Sequence, residues 1–261
     1  MFTPIAVTLI EEGKFMKIII NGAGGRMGKA LSSIIENSEK HTVAAYCSME
    51  FATDKAQNIY NNIREFEGEA DCIIDFSNHL ATADVMGYAV KRNLPVVVAT
   101  TGQSEAELAI IKGAADSIPV FYSQNMSLGV ALLSCLAKIA AKAFPDADIE
   151  IVEKHHNQKL DVPSGTAILL ADAIKTVKTD AEYVIGRSDY GKRDKKEIGI
   201  HSLRMGSEVG THEIIFAMGS QVITLKHEAE NRSLFADGAV SAAEFLIQQE
   251  NGFYNMDNIL E

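Results

Sequence analysis

An apolar run, Lys17–Asn21, passes directly into Gly22-Ala23-Gly24-Gly25-Arg26-Met27-Gly28, and beyond it Met27, Leu31, Ile34 and Ile35 recur at helical spacing. Strand, glycine loop and helix in that order form the context a dinucleotide site requires. Glycine permits the tight turn and a close approach of backbone to pyrophosphate, and the helix start presents N–H groups to an anion. Strict G-x-G-x-x-G spacing fails at Met27, so the loop alone is also compatible with an ordinary tight turn. The same alternation continues downstream. Thr42–Tyr46, Asp71–Phe76, Pro95–Ala99 and Pro119–Tyr122 read as strands, residues 52–69 as a polar connection, and Leu80, Ala83, Gly87 and Val90 as the apolar face of a helix. Ser104 and Glu107 have the spacing of a capping box at the start of another helix. This rhythm predicts an α/β fold, a doubly wound Rossmann-type parallel sheet with ligand at the carboxyl ends of its strands.

From Met126 the pattern changes. A helix over Ser127–Ala143 is apolar on most sides, and Tyr183–Gly186, Ile198–Met205, Thr211–Met218 and Gln221–His227 read as strands joined by short Gly-containing turns. Such a run predicts a second, α+β domain with a mixed, largely antiparallel sheet, whose apolar surfaces suggest subunit contact. Arg187–Glu197 is densely charged and reads as a solvated loop.

Between the first two elements of that region lies EIVEKHHNQKLDVPSGTA, Glu150–Ala167. Ser164 is a good N-cap for a helix whose face is Ala167, Leu170, Ala171, Ile174 and Val177, so the N–H groups of Gly165 and Thr166 form an anion site with Lys159 as a nearby cation. His155 and His156, if extended, face opposite ways. An imidazole with a pKa of about 6.5 can give up a proton near neutrality, so one acts as acid and the other as anchor. A capped helix with two surface histidines is the bland alternative, and zinc is disfavoured because His-His lacks same-face spacing.

The formal charge of −11, with no dense Lys/Arg run, argues against a nucleic-acid partner. Cys47, Cys72 and Cys135 lie in apolar surroundings without regular spacing, which points to reduced thiols and a cytoplasmic protein. No membrane partner is expected, since the richest apolar run, Leu128–Phe144, is broken by Lys138 and Lys142. Met16 looks like a natural start, and residues 1–15 are expected to be an upstream extension.

The Glu150–Ala167 stretch closely resembles the substrate motif E-x-HH-x-x-K-x-D-A-P-S-G-T-A of the dihydrodipicolinate reductases, nicotinamide-dependent enzymes of the diaminopimelate route to lysine, with Val162 in place of the usual alanine. The Gly22–Gly28 wording resembles the same family's cofactor loop. The resemblance implies reduction of a cyclic imine dicarboxylate, 4-hydroxy-tetrahydrodipicolinate (dihydrodipicolinate), to tetrahydrodipicolinate by NADH and/or NADPH. It implies catalytic roles for His155 and Lys159, and substrate contacts from His156, Lys159, Ser164, Gly165 and Thr166. Cofactor contacts are implied for Gly22, Ala23, Gly24, Gly25, Arg26 and Met27, and for the loops Ala99, Thr100, Thr101 and Ser123, Gln124, Asn125, Met126. Ala99 stands where glycine is usual. The family's acid-then-base pair after the second strand is replaced by Cys47 and Ser48, with Glu50 two residues on, which leaves NADH versus NADPH open. The resemblance further implies a discontinuous dinucleotide-binding domain, residues 1–125 and 232–261, around a substrate domain, residues 126–231, with domain closure before chemistry and assembly as a homotetramer. A nicotinamide-binding regulatory protein without turnover is the alternative reading.

Overall fold

The structure is a computed structural model that describes residues 15–260. The expected upstream extension, residues 1–15, therefore lies outside the described residues except for Phe15. Two compact units divide the chain: one runs to Ser127 and resumes at Ser233, and the other is Leu128–Arg232.

The first unit opens with β1 (Met16–Asn21), α1 (Arg26–Glu36) and β2 (His41–Cys47), followed by a short β3 (Ile59–Tyr60) and β4 (Cys72–Asp75). α2 (Thr82–Arg92), β5 (Val96–Val98), α3 (Glu105–Ala114) and β6 (Pro119–Tyr122) continue it. Ile18, Ile19 and Ile20 are all fully buried, because a parallel sheet is covered on both faces and its central strands read as unbroken apolar runs. Ser104 caps α3 through the Glu107 N–H while the Glu107 carboxylate accepts from the Ser104 N–H, so the capping box is formed in full.

α2 corrects the sequence reading. Leu80, Ala83, Gly87 and Val90 are exposed or precede the helix, and the buried side carries Thr82, Val85, Met86 and Ala89. Both sets have helical spacing. The set containing the bulkier Val85 and Met86 packs inward, because it removes more apolar area from water.

The second unit comprises α4 (Leu128–Ala143), β7 (Asp148–His155), α5 (Gly165–Lys175), β8 (Glu182–Ile185), β9 (Glu197–Arg204), β10 (Gly210–Met218) and β11 (Gln221–Ala229). Its sheet order is β11-β10-β7-β9-β8. The β10–β11 and β10–β7 pairs are antiparallel, whereas β7–β9 and β9–β8 are parallel. The sheet is therefore mixed, with two antiparallel and two parallel strand pairings. The reason is that β9 and β10, although consecutive, do not pair. β7 lies between them, and the short Met205–Val209 connection crosses its carboxyl end. There Met205 N–H donates to His155 O (2.8 Å) and His156 N–H donates to Glu208 O (2.8 Å). α4 and α5 cover one sheet face, with Ala167, Leu170, Ala171 and Ile174 fully buried against Ile149, Ile151, Ile198, Ile214 and Phe216. The charged Arg187–Glu197 segment is not merely solvated, since the Arg193 guanidinium reaches back to Glu150 Oε1 (2.7 Å) and Ile149 O (3.0 Å).

The chain then re-enters the first unit with α6 (Ser233–Leu246), β12 (Gly252–Tyr254) and α7 (Met256–Leu260). β12 joins the edge of a seven-stranded, wholly parallel sheet, β12-β6-β5-β4-β1-β2-β3. Ala236, Ala239, Ala242, Ala243 and Leu246 give α6 a fully buried face of mostly small side chains.

Candidate active site

In the first unit the turn from β1 into α1 is shaped by its glycines. Gly22 has φ +85°, and a β-carbon there would sit 2.5 Å from Phe76 O. A β-carbon on Gly28 would lie 2.2 Å from Gly22 O, so the helix can start this close to the strand only with glycine at both positions. Gly25 takes the N-cap position of α1 with extended backbone and without a side-chain cap, which leaves the first N–H groups of the helix available to an anion. A cavity of about 530 Å³ opens beside the loop, lined in part by Gly22, Gly25, Ser48, Glu50, Asn61 and Ser77. This arrangement fits a dinucleotide phosphate bridge.

Asp75, fully buried at the end of β4, holds the neighbouring loops together. Its carboxylate accepts from Asn21 Nδ2 (2.8 Å), Ser77 Oγ (2.6 Å) and Thr100 Oγ1 (3.0 Å). Burial pushes its pKa up and these donors only partly counter that. Of the expected cofactor residues, Gly22 and Gly25 line the cavity. Ala23, Gly24, Arg26 and Met27 belong to the same turn, while Ala99–Thr101 and Ser123–Met126 follow β5 and β6 and do not line it. Ala99, Thr100 and Met126 are buried.

In the second unit β7 alternates in the ordinary way, with Ile149, Ile151, Glu153 and His155 all facing inward. The apolar stripe thus ends in a carboxylate and an imidazole. Glu153, at 0% exposure, accepts from His155 Nδ1 (2.6 Å), from both terminal nitrogens of Arg204 (2.8 Å each) and from the Ser164 N–H (3.1 Å). Strand register brings these groups together, since Arg204 lies opposite His155 on β9 and His212 lies opposite Glu153 on β10. The His155 and His212 rings meet edge to face at 5.2 Å. A β-carbon on Gly210 would be 3.0 Å from His155 Nε2, so glycine at the start of β10 gives that ring its room.

Burial by itself would raise the Glu153 pKa, but the hydrogen bonds from His155, Arg204 and the Ser164 N–H more than offset it and hold the carboxyl well below the usual range. His212 goes the other way: burial, aided by the nearby His155, lowers its pKa to about 3, so it is neutral at physiological pH. A permanently ionised Glu153 bonded to Nδ1 holds His155 with Nε2 directed away from the acid.

The anion site is less open than its spacing suggested. The hydroxyl of Ser164, only 1% exposed, caps α5 through the Ala167 N–H (3.2 Å) and lies 3.0 Å from His212 Nε2. It shapes the turn rather than facing outward. Asp161 pairs with Lys159 Nζ at 2.8 Å. Its pKa is pushed up by burial but lowered further by bonds from Lys159 and the Gly165 N–H, so a resident carboxylate stands at the helix start. His156 turns away from His155, and Arg232 donates to its Nε2 at 3.3 Å.

Sequence reasoning assigned no role to Glu153, Arg204 or His212. The i, i+2 parity of Glu153 with His155 on one strand was a usable signal. No local signal existed for the other two, which depend on cross-strand register.

Comparison with known proteins bears on both units. Residues 16–126 match the family model described as dihydrodipicolinate reductase, N-terminus, and residues 129–260 match dihydrodipicolinate reductase, C-terminus. The 4-hydroxy-tetrahydrodipicolinate reductase of Caldanaerobacter subterraneus subsp. tengcongensis is 46% identical over 249 residues, covering 94% of this chain and 98% of the relative. That of Clostridium novyi is 42% identical, with the same coverage. Among solved structures, a dipicolinate-bound dihydrodipicolinate reductase from Paenisporosarcina sp. TG-14 shares the fold at a TM-score of 0.79 and 24% identity, covering 94% of this chain and all of that one. With both halves matched and full-length relatives above 40% identity, the chain belongs to the dihydrodipicolinate reductase family.

Proposed function

We propose that this chain catalyses the reduction of 4-hydroxy-tetrahydrodipicolinate to tetrahydrodipicolinate in the diaminopimelate route to lysine, with NADH or NADPH as reductant. The observation that carries the reading in chemical terms is one buried histidine, His155, fixed through Nδ1 by an ionised carboxylate, in the same unit as a helix start and a lysine suited to an anion.

The Gly22–Met27 turn holds the nucleotide's phosphates on the N-terminus of α1, with the Ala99–Thr101 and Ser123–Met126 loops toward the nicotinamide. Bound there, the reduced nicotinamide supplies hydride. Hydride addition to the conjugated imine leaves an electron-rich enamine that must take up a proton. His155 delivers it from Nε2, while Glu153 keeps Nδ1 protonated and the ring oriented, and Arg204 keeps Glu153 ionised. A substrate carboxylate takes the place of Asp161 against Lys159 and the N–H groups of Gly165 and Thr166, with His156 as a further anchor. The 4-hydroxyl of the substrate leaves as water to give the conjugated dihydrodipicolinate, and one hydride and one proton then add across its double bond to give tetrahydrodipicolinate.

The outer face of the second unit's sheet carries Val152, Leu203, Ile215 and Val222, the second and fourth exposed. It supports assembly as a homotetramer, which light scattering reads directly. Three unpaired cysteines support a cytoplasmic setting, and among the described residues no helix is long and apolar enough to cross a membrane. The deciding experiment is a coupled assay that generates the substrate in place and follows absorbance loss of NADH and NADPH in parallel. Turnover with either supports the reading, and nucleotide binding without turnover overturns it.

A further inference from the structure

The corner after β2 is where a dinucleotide fold meets the adenosine ribose, and an acid there accepts from the 2′-hydroxyl whereas a base receives a 2′-phosphate. The strand's last residue cannot serve, because Cys47 is fully buried. The chain then folds back: Phe51 N–H donates to Ser48 O (3.0 Å) and Glu50 N–H to Ser48 Oγ (3.3 Å). That turn carries Glu50 over the glycine loop, so that a β-carbon added to Gly24 would lie 2.8 Å from both Glu50 Oε2 and Ser48 Oγ.

Three features make this carboxylate available to a ligand. Glu50 is exposed and lines the cavity beside Gly22 and Gly25. Among the described residues no group donates to its side chain, unlike Asp84 on the same cavity wall, which is paired with Arg64. And among the described residues no lysine or arginine lines the cavity; Arg26, the first residue of α1, is exposed but outside the lining. The site therefore has an unsatisfied acceptor where a ribose diol would sit and no cation for a phosphate.

We infer that Glu50 makes the nucleotide site selective for NADH, accepting from the ribose hydroxyls and repelling the 2′-phosphate of NADPH. The inference rests on the nicotinamide reading above and narrows it. A hydrogen bond to a charged group, once lost, corresponds to about ten- to a hundredfold in affinity, and the dianionic 2′-phosphate adds repulsion.

The test is equilibrium binding of NADH and NADPH, each titrated by calorimetry into the full chain without substrate, for the parent protein, Glu50→Gln and Glu50→Arg. The parent is expected to bind NADH at least about tenfold tighter than NADPH. Glu50→Gln should weaken NADH and narrow the ratio, and Glu50→Arg should reverse it. Parent affinities within threefold of each other, or a ratio that Glu50→Gln leaves unchanged, overturn the inference while leaving the nucleotide site intact. Failure of the folded parent to bind either nucleotide overturns the inference and the nicotinamide reading together.

Discussion

Replacing Glu153 by glutamine changes one atom of the side chain and almost none of its volume, so the effect isolates charge and acceptor capacity. The carboxylate accepts four hydrogen bonds, from His155 Nδ1, two from Arg204 and one from the Ser164 N–H. Glutamine can keep the carbonyl oxygen toward Ser164 and one Arg204 nitrogen. Its NH₂ then faces His155 Nδ1 and the other guanidinium nitrogen, both donors in the native arrangement. His155 can meet that NH₂ only by giving up its Nδ1 proton, which exchanges the tautomer. Removing one partner of a buried ion pair costs about 3–5 kcal/mol when nothing replaces it. Arg204 retains the carbonyls of Leu203 (2.8 Å) and Asp161 (2.7 Å), so a stability loss of about 2–3 kcal/mol is expected. Turnover should fall by more than stability implies, about 10²–10⁴-fold, the usual contribution of a positioned general acid. The assays are urea denaturation and kcat from NAD(P)H absorbance across pH 6–9. The Glu153→Gln, Arg204→Met pair removes the stranded charge and should recover at least half of the lost stability without restoring kcat. If Glu153→Gln keeps more than a third of the parent kcat with the same pH profile, the positioning argument is wrong.

Three further outcomes follow from the same geometry. His155→Ala should lose about 10²–10⁴-fold in kcat with nucleotide affinity unchanged in a binding titration; retained turnover would move the proton donor elsewhere. Asp161→Asn removes the carboxylate that pairs with Lys159, and because that pair is partly exposed and worth no more than about 1 kcal/mol, pyridine-2,6-dicarboxylate should bind up to about fivefold tighter by calorimetry. Weaker binding would show that Asp161 organises the site rather than competing for it. Stability should fall with acidification from about pH 6.5, because the unfolded chain protonates His212 while the folded chain refuses the proton until about pH 3. Between pH 6.5 and 4.5 this amounts to about 2–3 kcal/mol. Urea midpoints for His212→Gln should therefore show a shallower slope over that window, whatever the variant's absolute stability; an unchanged slope would remove His212 as its source. Glu153 adds nothing in that window, since its depressed pKa keeps its contribution intact until the pH drops below the ordinary carboxylate range.

The elements that were legible in the sequence are those set by local pattern. Ile18–Ile20 had to be covered on both faces, and the Ser104–Glu107 box formed as spaced. The phase of α2 was not legible, because two sets of residues satisfied the same period and only packing volume separated them. Nor was the insertion of β7 between β9 and β10. Short connections between consecutive strands favour pairing of neighbours, and here that preference loses to a crossover above His155. Glu50 was visible as a charge, but a strand-end rule looks at the residues after the last strand position, and a turn closed by Ser48 is what returns the carboxylate to the loop.

That crossover explains why the polar cluster can exist at all. A carboxylate and an imidazole on the inward face of a central strand would be costly if either neighbouring strand offered only apolar side chains. β7 has two different neighbours, one parallel and one antiparallel, and each contributes one polar group at the matching register: Arg204 opposite His155 from β9, His212 opposite Glu153 from β10. Had β9 and β10 paired with each other, β7 would have lost its β9 neighbour and Glu153 the guanidinium that keeps it ionised. The strand order is therefore part of the chemistry. It satisfies the buried acid, and the acid in turn leaves one nitrogen of His155 directed away from the protein's own hydrogen bonds.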